Sequence, residues 1–163
     1  MSSIIKQHNT KILSNSNNIQ NRLCNCRNRN DCPLNGNCLK KGFVYKAEVT
    51  TDQSLKIYFG ASEGEFKSRY NNHTLSFRNE HHANDTELSN HLWELKNANI
   101  NLSVKWSIAA CASPYRCGTR KCDLCLTEKY IIARADQKYL LNKRTEIISK
   151  CRHRNKYVLK NIK

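Results

Sequence analysis

Six polar residues spread along the chain have the types needed to cleave a phosphate ester. Arginine stabilises the negative charge that develops on the phosphate, and a carboxylate holds one hard cation. A phenol or an imidazole relays the proton of an attacking water. Two of the six lie four residues apart on a predicted helix and therefore share one face. The set is Tyr45, Tyr58, Arg69, His73, Glu128 and Asn142.

The nine cysteines are grouped in a way typical of zinc ligands rather than of disulfides. Their number is odd and the polar, Asn-rich N-terminus lacks the apolar core of a secretion signal, which indicates a reducing compartment. Four of them fall within a short polar segment that can bury little, which favours one zinc site with four thiolate ligands. The predicted ligands are Cys24, Cys26, Cys32 and Cys38.

A second zinc site is predicted from two pairs of residues that are far apart in the sequence. One pair has Cys-x2-Cys spacing ahead of Glu128, and the other follows the last predicted helix. Joining them would clamp together the helices that carry Glu128 and Asn142. The ligands would be Cys122, Cys125, Cys151 and His153, with Cys117 as the substitute if His153 faces away.

Length and charge limit the classes of protein and partner. The chain has 163 residues, and its 28 Lys and Arg against 13 Asp and Glu give a formal net charge of +15. Such an excess predicts a polyanionic partner, nucleic acid first and an anionic membrane surface second. A membrane-spanning protein is excluded because the sequence contains no run of about 18 apolar residues. Nucleic acid is therefore the first partner to expect, and no membrane-spanning segment is expected.

Hydrophobic periodicity and turn signals predict the order β-β-α-α-β-α-α. Ser62 and Glu65 form a capping box that would start the first helix. The fold class is α/β, with a small three-stranded antiparallel sheet flanked by helices and an N-terminal cysteine cluster. Strands are predicted over 42–50, 55–60 and 104–110, the last one buried, and helices over 63–77, from 85 or 86 to 95, 123–135 and 142–151.

Over residues 42 to about 148 the chain resembles the GIY-YIG nucleases. Tyr58, Phe59 and Gly60 look like the second half of the motif that names the family. Tyr45 matches the tyrosine of the first half, in which Phe43 stands in place of the glycine. The downstream residues follow in the order of the family: Arg69, His73, Glu128 and Asn142.

The chain is most similar to the endonuclease domain that ends the polyprotein of Penelope-like retroelements. The similar stretches lie over 24–38, 122–129, 141–144 and 151–153. This resemblance implies that the protein nicks target DNA to prime insertion of the element, in the nucleus. It also implies a reverse transcriptase domain on the same polyprotein, of which the chain would be a C-terminal fragment or an isolated remnant. Cutting both strands would need a transient dimer or two successive nicks.

The family cleaves in one step by in-line attack of water, and the resemblance implies a role for each matching residue. Tyr45 is the general base or its orienting partner, and His73 assists it in proton transfer. Tyr58 positions the water or the phosphate. Gly60 lets the backbone pass close to the site.

The remaining matches imply the electrostatic part of the site. Arg69 binds the scissile phosphate and stabilises the transition state. Glu128 is the sole protein ligand of Mg²⁺ or Mn²⁺, and Asn142 braces the site from the last helix.

The chain is expected to divide into four parts. Residues 1–22 are a disordered leader, 23–41 a zinc-binding segment, 42–150 the nuclease domain, and 151–163 a basic tail that adds a zinc-ligand pair. Lys143, Arg144 and the residues from Arg152 to Lys163 are expected to contact phosphates without reading bases. The alternative function is a zinc-stabilised nucleic-acid binding module with an inactive nuclease site. An RNA-binding protein of ribosomal type would explain the charge but not the ordered polar residues.

Overall fold

The computed structural model describes residues 23–116 and 119–154. The predicted leader, Cys117 and the tail beyond 154 lie outside the described residues. Two short 3-10 turns, Arg29–Asp31 and Glu80–His82, accompany seven longer elements. The strands are β1 (Phe43–Thr51), β2 (Leu55–Ser62) and β3 (Leu102–Cys111), and the helices are α1 (Phe66–Arg78), α2 (Glu87–Asn97), α3 (Asp123–Arg134) and α4 (Arg144–Ile148).

The α/β class and the three-stranded antiparallel sheet are confirmed. The strand order is β2-β1-β3, so β1 is central and pairs antiparallel with both neighbours. Alternate residues of a strand point to opposite faces, and both faces of β1 are covered. Tyr45 packs in the core with residues of α1 and α2, whereas Val44 packs with residues of α3. Helices therefore lie on both faces of the sheet.

The prediction that the third strand is buried is wrong. β3 is an edge strand, and Trp106 is its one buried residue. Side chains of a strand alternate between the two faces of the sheet, and on β3 the side chains of one face are largely exposed, namely Ser103, Lys105, Ala109 and Cys111. Within the described residues, no helix is long and apolar enough to cross a membrane.

Two of the four helices start where the sequence predicts, and two start later. Thr86 caps α2 with a capping box to Ser89, and α3 starts at Asp123 as expected. The predicted capping box of α1 is wrong: the helix begins at Phe66, and the Ser62 hydroxyl donates to the Gly64 carbonyl at 3.0 Å. The last helix is also shorter than predicted, so that Asn142 precedes α4.

The outer edge of β2 is covered by the segment between α3 and α4. Ile57 forms a parallel bridge with Leu140, and its N–H donates to the Tyr139 carbonyl at 2.7 Å. Two residues further along, the Asn142 side chain accepts from the Phe59 N–H and donates to the Phe59 carbonyl, both at 2.8 Å. These contacts fix the start of α4 beside the strand that carries Tyr58 and Gly60.

Candidate active site and metal clusters

Three of the predicted site residues form a hydrogen-bonded chain on the face of the sheet that α1 and α2 cover. The Tyr45 hydroxyl lies 2.8 Å from His73 Nε2, and Arg69 Nε donates to the same hydroxyl at 3.1 Å. Arg69 and His73 are on one face of α1, as their spacing predicts. Tyr45 is fully buried and His73 is 3% exposed, so solvent is excluded from the bond between them, whereas the bond from Arg69 is partly buried.

Gly60 is opposite Tyr45 in the β1–β2 ladder. A Cβ atom at position 60 would lie 2.3 Å from the Tyr45 hydroxyl and 2.5 Å from its Cζ. Both distances are far shorter than a van der Waals contact. Only glycine at this position allows the Tyr45 ring to reach His73 and Arg69.

Burial determines the protonation states of this chain. It raises the pKa of Tyr45, against the positive charge of Arg69, and holds the pKa of Tyr58 well above its ordinary value. The pKa of His73 is lowered to about 3, first by burial and then by Arg69. With the ring proton of neutral His73 on Nδ1, Nε2 accepts from the Tyr45 hydroxyl, and that hydroxyl accepts from Arg69 Nε.

A cleft of about 470 Å³ brings together Tyr58 from β2, Arg69 from α1 and Glu128 from α3. Tyr45 and His73 lie behind its described lining. Burial raises the pKa of Glu128, an effect that the nearby Ala61 backbone N–H opposes. One small polar group bound in the cleft could therefore contact the guanidinium of Arg69, the carboxylate of Glu128 and the phenol of Tyr58.

Glu146 is a lining residue that the sequence reasoning missed. Its two carboxylate oxygens accept from Asn142 Nδ2 at 2.8 Å and from the Lys143 N–H at 3.1 Å. Its charge also raises the pKa of Glu128. The available signal was its position four residues after Asn142. Asn142 itself is buried against β2, and its side chain reaches the site through its bonds to Phe59 and Glu146.

Basic side chains line the cleft on the side of α3 and α4. Lys129, Lys150 and Arg152 all contribute to its wall. Of these, only Arg152 belongs to the tail that was expected to contact phosphates. Lys143 is bound instead to Glu87, with 2.6 Å between Nζ and Oε1, and this ion pair links the start of α2 to the start of α4.

The N-terminal cysteine cluster, defined as Cys24, Cys26, Cys32 and Cys38, has the geometry of a metal site. Its four sulfur atoms lie within 4.8 Å of one another. Cys38 Sγ is 3.6 Å from the sulfurs of both Cys24 and Cys26. Four sulfurs at the usual zinc–sulfur distance would be about 3.8 Å apart in a tetrahedron. The cluster is consistent with a structural zinc site.

The C-terminal cluster, defined as Cys122, Cys125, Cys151 and His153, has the same property. His153 Nδ1 lies 3.4 Å from Cys122 Sγ, 3.1 Å from Cys125 Sγ and 3.7 Å from Cys151 Sγ. Tetrahedral zinc would place nitrogen and sulfur ligands about 3.6 Å apart. The imidazole thus faces the cysteines, and Cys125 and His153 also line the cleft beside Glu128.

Comparisons with protein-family models, curated proteins and solved structures found no match for this chain. The functional assignment therefore depends on the cleft and on the two clusters. Oxygen ligands for a hard cation and an arginine for a phosphate are present in the cleft, and soft thiolates are present in the clusters. The two kinds of ligand suit two kinds of metal ion.

Proposed function

We propose that the chain is a metal-dependent DNA endonuclease of the GIY-YIG type. The observation that carries the proposal is the convergence of Tyr58, Arg69 and Glu128 on one cleft, with the Tyr45–His73 pair behind it. Tyr58, Arg69 and Glu128 come from three separate elements, β2, α1 and α3. Their types are those required to hydrolyse a phosphodiester.

Arg69 is the residue that binds the scissile phosphate in this proposal. Its Nε is held by the Tyr45 hydroxyl at 3.1 Å, which leaves the outer nitrogens of the guanidinium to bind two phosphate oxygens. A guanidinium fixed in this way does not have to reorganise when charge develops on the phosphate. Burial of the Tyr45 hydroxyl favours the orienting role for this residue.

Glu128 is the residue that would hold Mg²⁺ or Mn²⁺. A single carboxylate suits such an ion because Mg²⁺ retains several waters and takes further ligands from the phosphate. When bound, the ion stabilises phosphate charge and lowers the pKa of water. Tyr58 is protonated at neutral pH, so its hydroxyl donates a hydrogen bond that orients the phosphate or the water.

The remaining features support DNA as the substrate. Lys129, Lys150 and Arg152 line the cleft, and in this proposal they contact the phosphates next to the scissile one. Contacts of this kind position the duplex without reading its sequence. In this proposal both clusters hold structural zinc, and the protein nicks target DNA in the nucleus for a retroelement whose reverse transcriptase is on the same polyprotein.

A plasmid-nicking assay tests the proposal. The parent protein with Mg²⁺ or Mn²⁺ should convert supercoiled plasmid to open circles, and Glu128→Gln should reduce the rate at least a hundredfold. Glu80→Gln is the control because it removes an exposed carboxylate outside the described lining of the cleft. Equal rates for the parent and Glu128→Gln would refute the role of Glu128.

A zinc-stabilised nucleic-acid binding module is the second candidate. The observation that favours it is the complete burial of the Tyr45 hydroxyl, which keeps one of the two motif tyrosines away from substrate. Such a module would bind DNA with an affinity that depends strongly on salt, and it would cleave DNA with neither Mg²⁺ nor Mn²⁺. Zinc-loaded parent protein that binds plasmid without nicking it would decide for this candidate.

A further inference from the structure

The N-terminus of α1 is capped by a different part of the chain. A helix leaves its first four N–H groups without partners inside the helix. The side chain of Glu65, the N-cap residue, forms no capping bond with described residues. Two backbone carbonyls of the N-terminal cluster segment, defined as residues 23–41, accept instead. The Lys40 carbonyl accepts from the Phe66 N–H at 3.1 Å, and the Cys38 carbonyl accepts from the Lys67 N–H at 2.8 Å.

The segment that supplies these carbonyls is held by the cysteines themselves. Cys38 is a member of the cluster and is fully buried, so a metal that holds its sulfur also restrains the carbonyl of the same residue. A side-chain bond makes a further connection, because Lys67 Nζ donates to Asn25 Oδ1 at 2.7 Å and Asn25 lies between two of the cysteines. Leu34 of the same segment packs in one core with Phe66.

We propose that metal at the N-terminal cluster positions the active site, by fixing the start of α1 and so the guanidinium of Arg69. Arg69 lies one helical turn after Phe66, and its Nε reaches the Tyr45 hydroxyl at 3.1 Å. A shift of about 1 Å would break that bond, since N–H···O bonds are lost beyond about 3.5 Å. The effect on catalysis depends on the proposed nuclease function, whereas the effect on α1 does not.

The C-terminal cluster provides an internal comparison. Cys122 is the N-cap of α3, and its sulfur accepts from the Cys125 N–H at 3.5 Å. This cluster is therefore connected to the helix of Glu128, on the opposite side of the cleft from α1. Loss of one ligand there should leave the first turn of α1 unchanged.

The first test measures metal content and amide hydrogen exchange on the full chain. Cys26→Ser should lose one zinc per chain, and the amides of Phe66 and Lys67 should exchange more than tenfold faster. Exchange in α2 should remain at the parent rate and so exclude general unfolding. Cys111→Ser is the control because Cys111 is exposed and belongs to neither described cluster. Loss of zinc without faster exchange at Phe66 and Lys67 would overturn the proposal.

A pair of substitutions at Lys67 tests the bond between α1 and the Cys38 carbonyl while all four cysteines remain. If Cys26→Ser unfolds, this pair alone tests the proposal. Lys67→Pro removes the N–H that bonds to Cys38, at the second position of the helix, where no bond within the helix is lost. Lys67→Ala removes the same side chain and keeps the N–H. Relative to Lys67→Ala, the proline variant should keep its zinc, and its first helical turn should exchange about fivefold faster, the factor that one ordinary hydrogen bond represents.

The same pair separates this proposal from the nuclease proposal. For an active enzyme, kcat/KM should fall in Lys67→Pro relative to Lys67→Ala, because a displaced Arg69 stabilises the charge on the phosphate less well in the transition state. If neither variant nor parent cleaves DNA, the exchange measurement still decides whether the cluster fixes α1. Indistinguishable exchange in the two variants would overturn the proposal, whatever the nuclease activity.

Discussion

Substitution of Gly60 by alanine should disrupt the site through Tyr45. The new Cβ would lie 2.3 Å from the Tyr45 hydroxyl, which is 1.1 Å closer than the 3.4 Å at which ordinary contact begins. The strand cannot move away easily because Gly60 is paired with Tyr45 in the ladder. The ring is also enclosed, with Phe66 at 5.3 Å and Trp106 at 5.7 Å between ring centroids.

The size of the effect follows from two contributions. Overpacking a well-packed core costs about 1 to 3 kcal/mol. Displacement of the Tyr45 hydroxyl from His73 and Arg69 adds about 1 kcal/mol for each bond. The expected loss of unfolding free energy is therefore about 3 to 5 kcal/mol, which lowers Tm by roughly 10 °C in a domain of this size.

Thermal unfolding followed by circular dichroism measures this loss. Tryptophan fluorescence, to which Trp93 and Trp106 both contribute, reports the repacking around Tyr45 because Trp106 lies beside it. Gly64→Ala is the matched control because none of the described atoms lies within 4 Å of its new Cβ. Its Tm should stay within about 2 °C of the parent, as expected for a surface substitution. A Gly60→Ala variant as stable as Gly64→Ala, with unchanged fluorescence, would refute the account of Tyr45 and Gly60.

Three further results are expected. Asn142→Ala should lower the unfolding free energy by about 2 to 3 kcal/mol in urea titrations, because it leaves the Phe59 N–H and carbonyl without their partner; an unchanged midpoint would contradict the bracing role. The pKa of His73 is about 3 in the folded protein against 6.5 in the unfolded chain. The stability that neutral His73 contributes is therefore complete above pH 6.5 and is lost as pH falls toward 3. Over that pH range the unfolding free energy of the parent should fall more than that of His73→Gln. The parent should contain two zinc ions per chain and Cys122→Ser one, as measured by mass spectrometry of the metals; equal contents would show that the C-terminal cluster holds no zinc.

Local sequence patterns are sufficient to predict most of the helices and strands and to identify the candidate metal ligands. β-Branched and aromatic alternation predicts β1 and β2, and the Thr86 cap predicts the start of α2. The spacing of Arg69 and His73 places both on one face of a helix, because helical geometry is local. The cysteine groups also follow from the sequence, since four thiols in a short polar segment have few other uses.

Which of these residues meet depends on tertiary contacts. The capping box at Ser62 and Glu65 has a valid local pattern, yet carbonyls from the N-terminal cluster segment occupy the helix start instead. Glu146 enters the cleft because Asn142 binds the edge of β2 and brings α4 with it. Contacts of this kind join residues that are far apart in the chain. Their energies depend on burial and distance, which local sequence patterns do not contain.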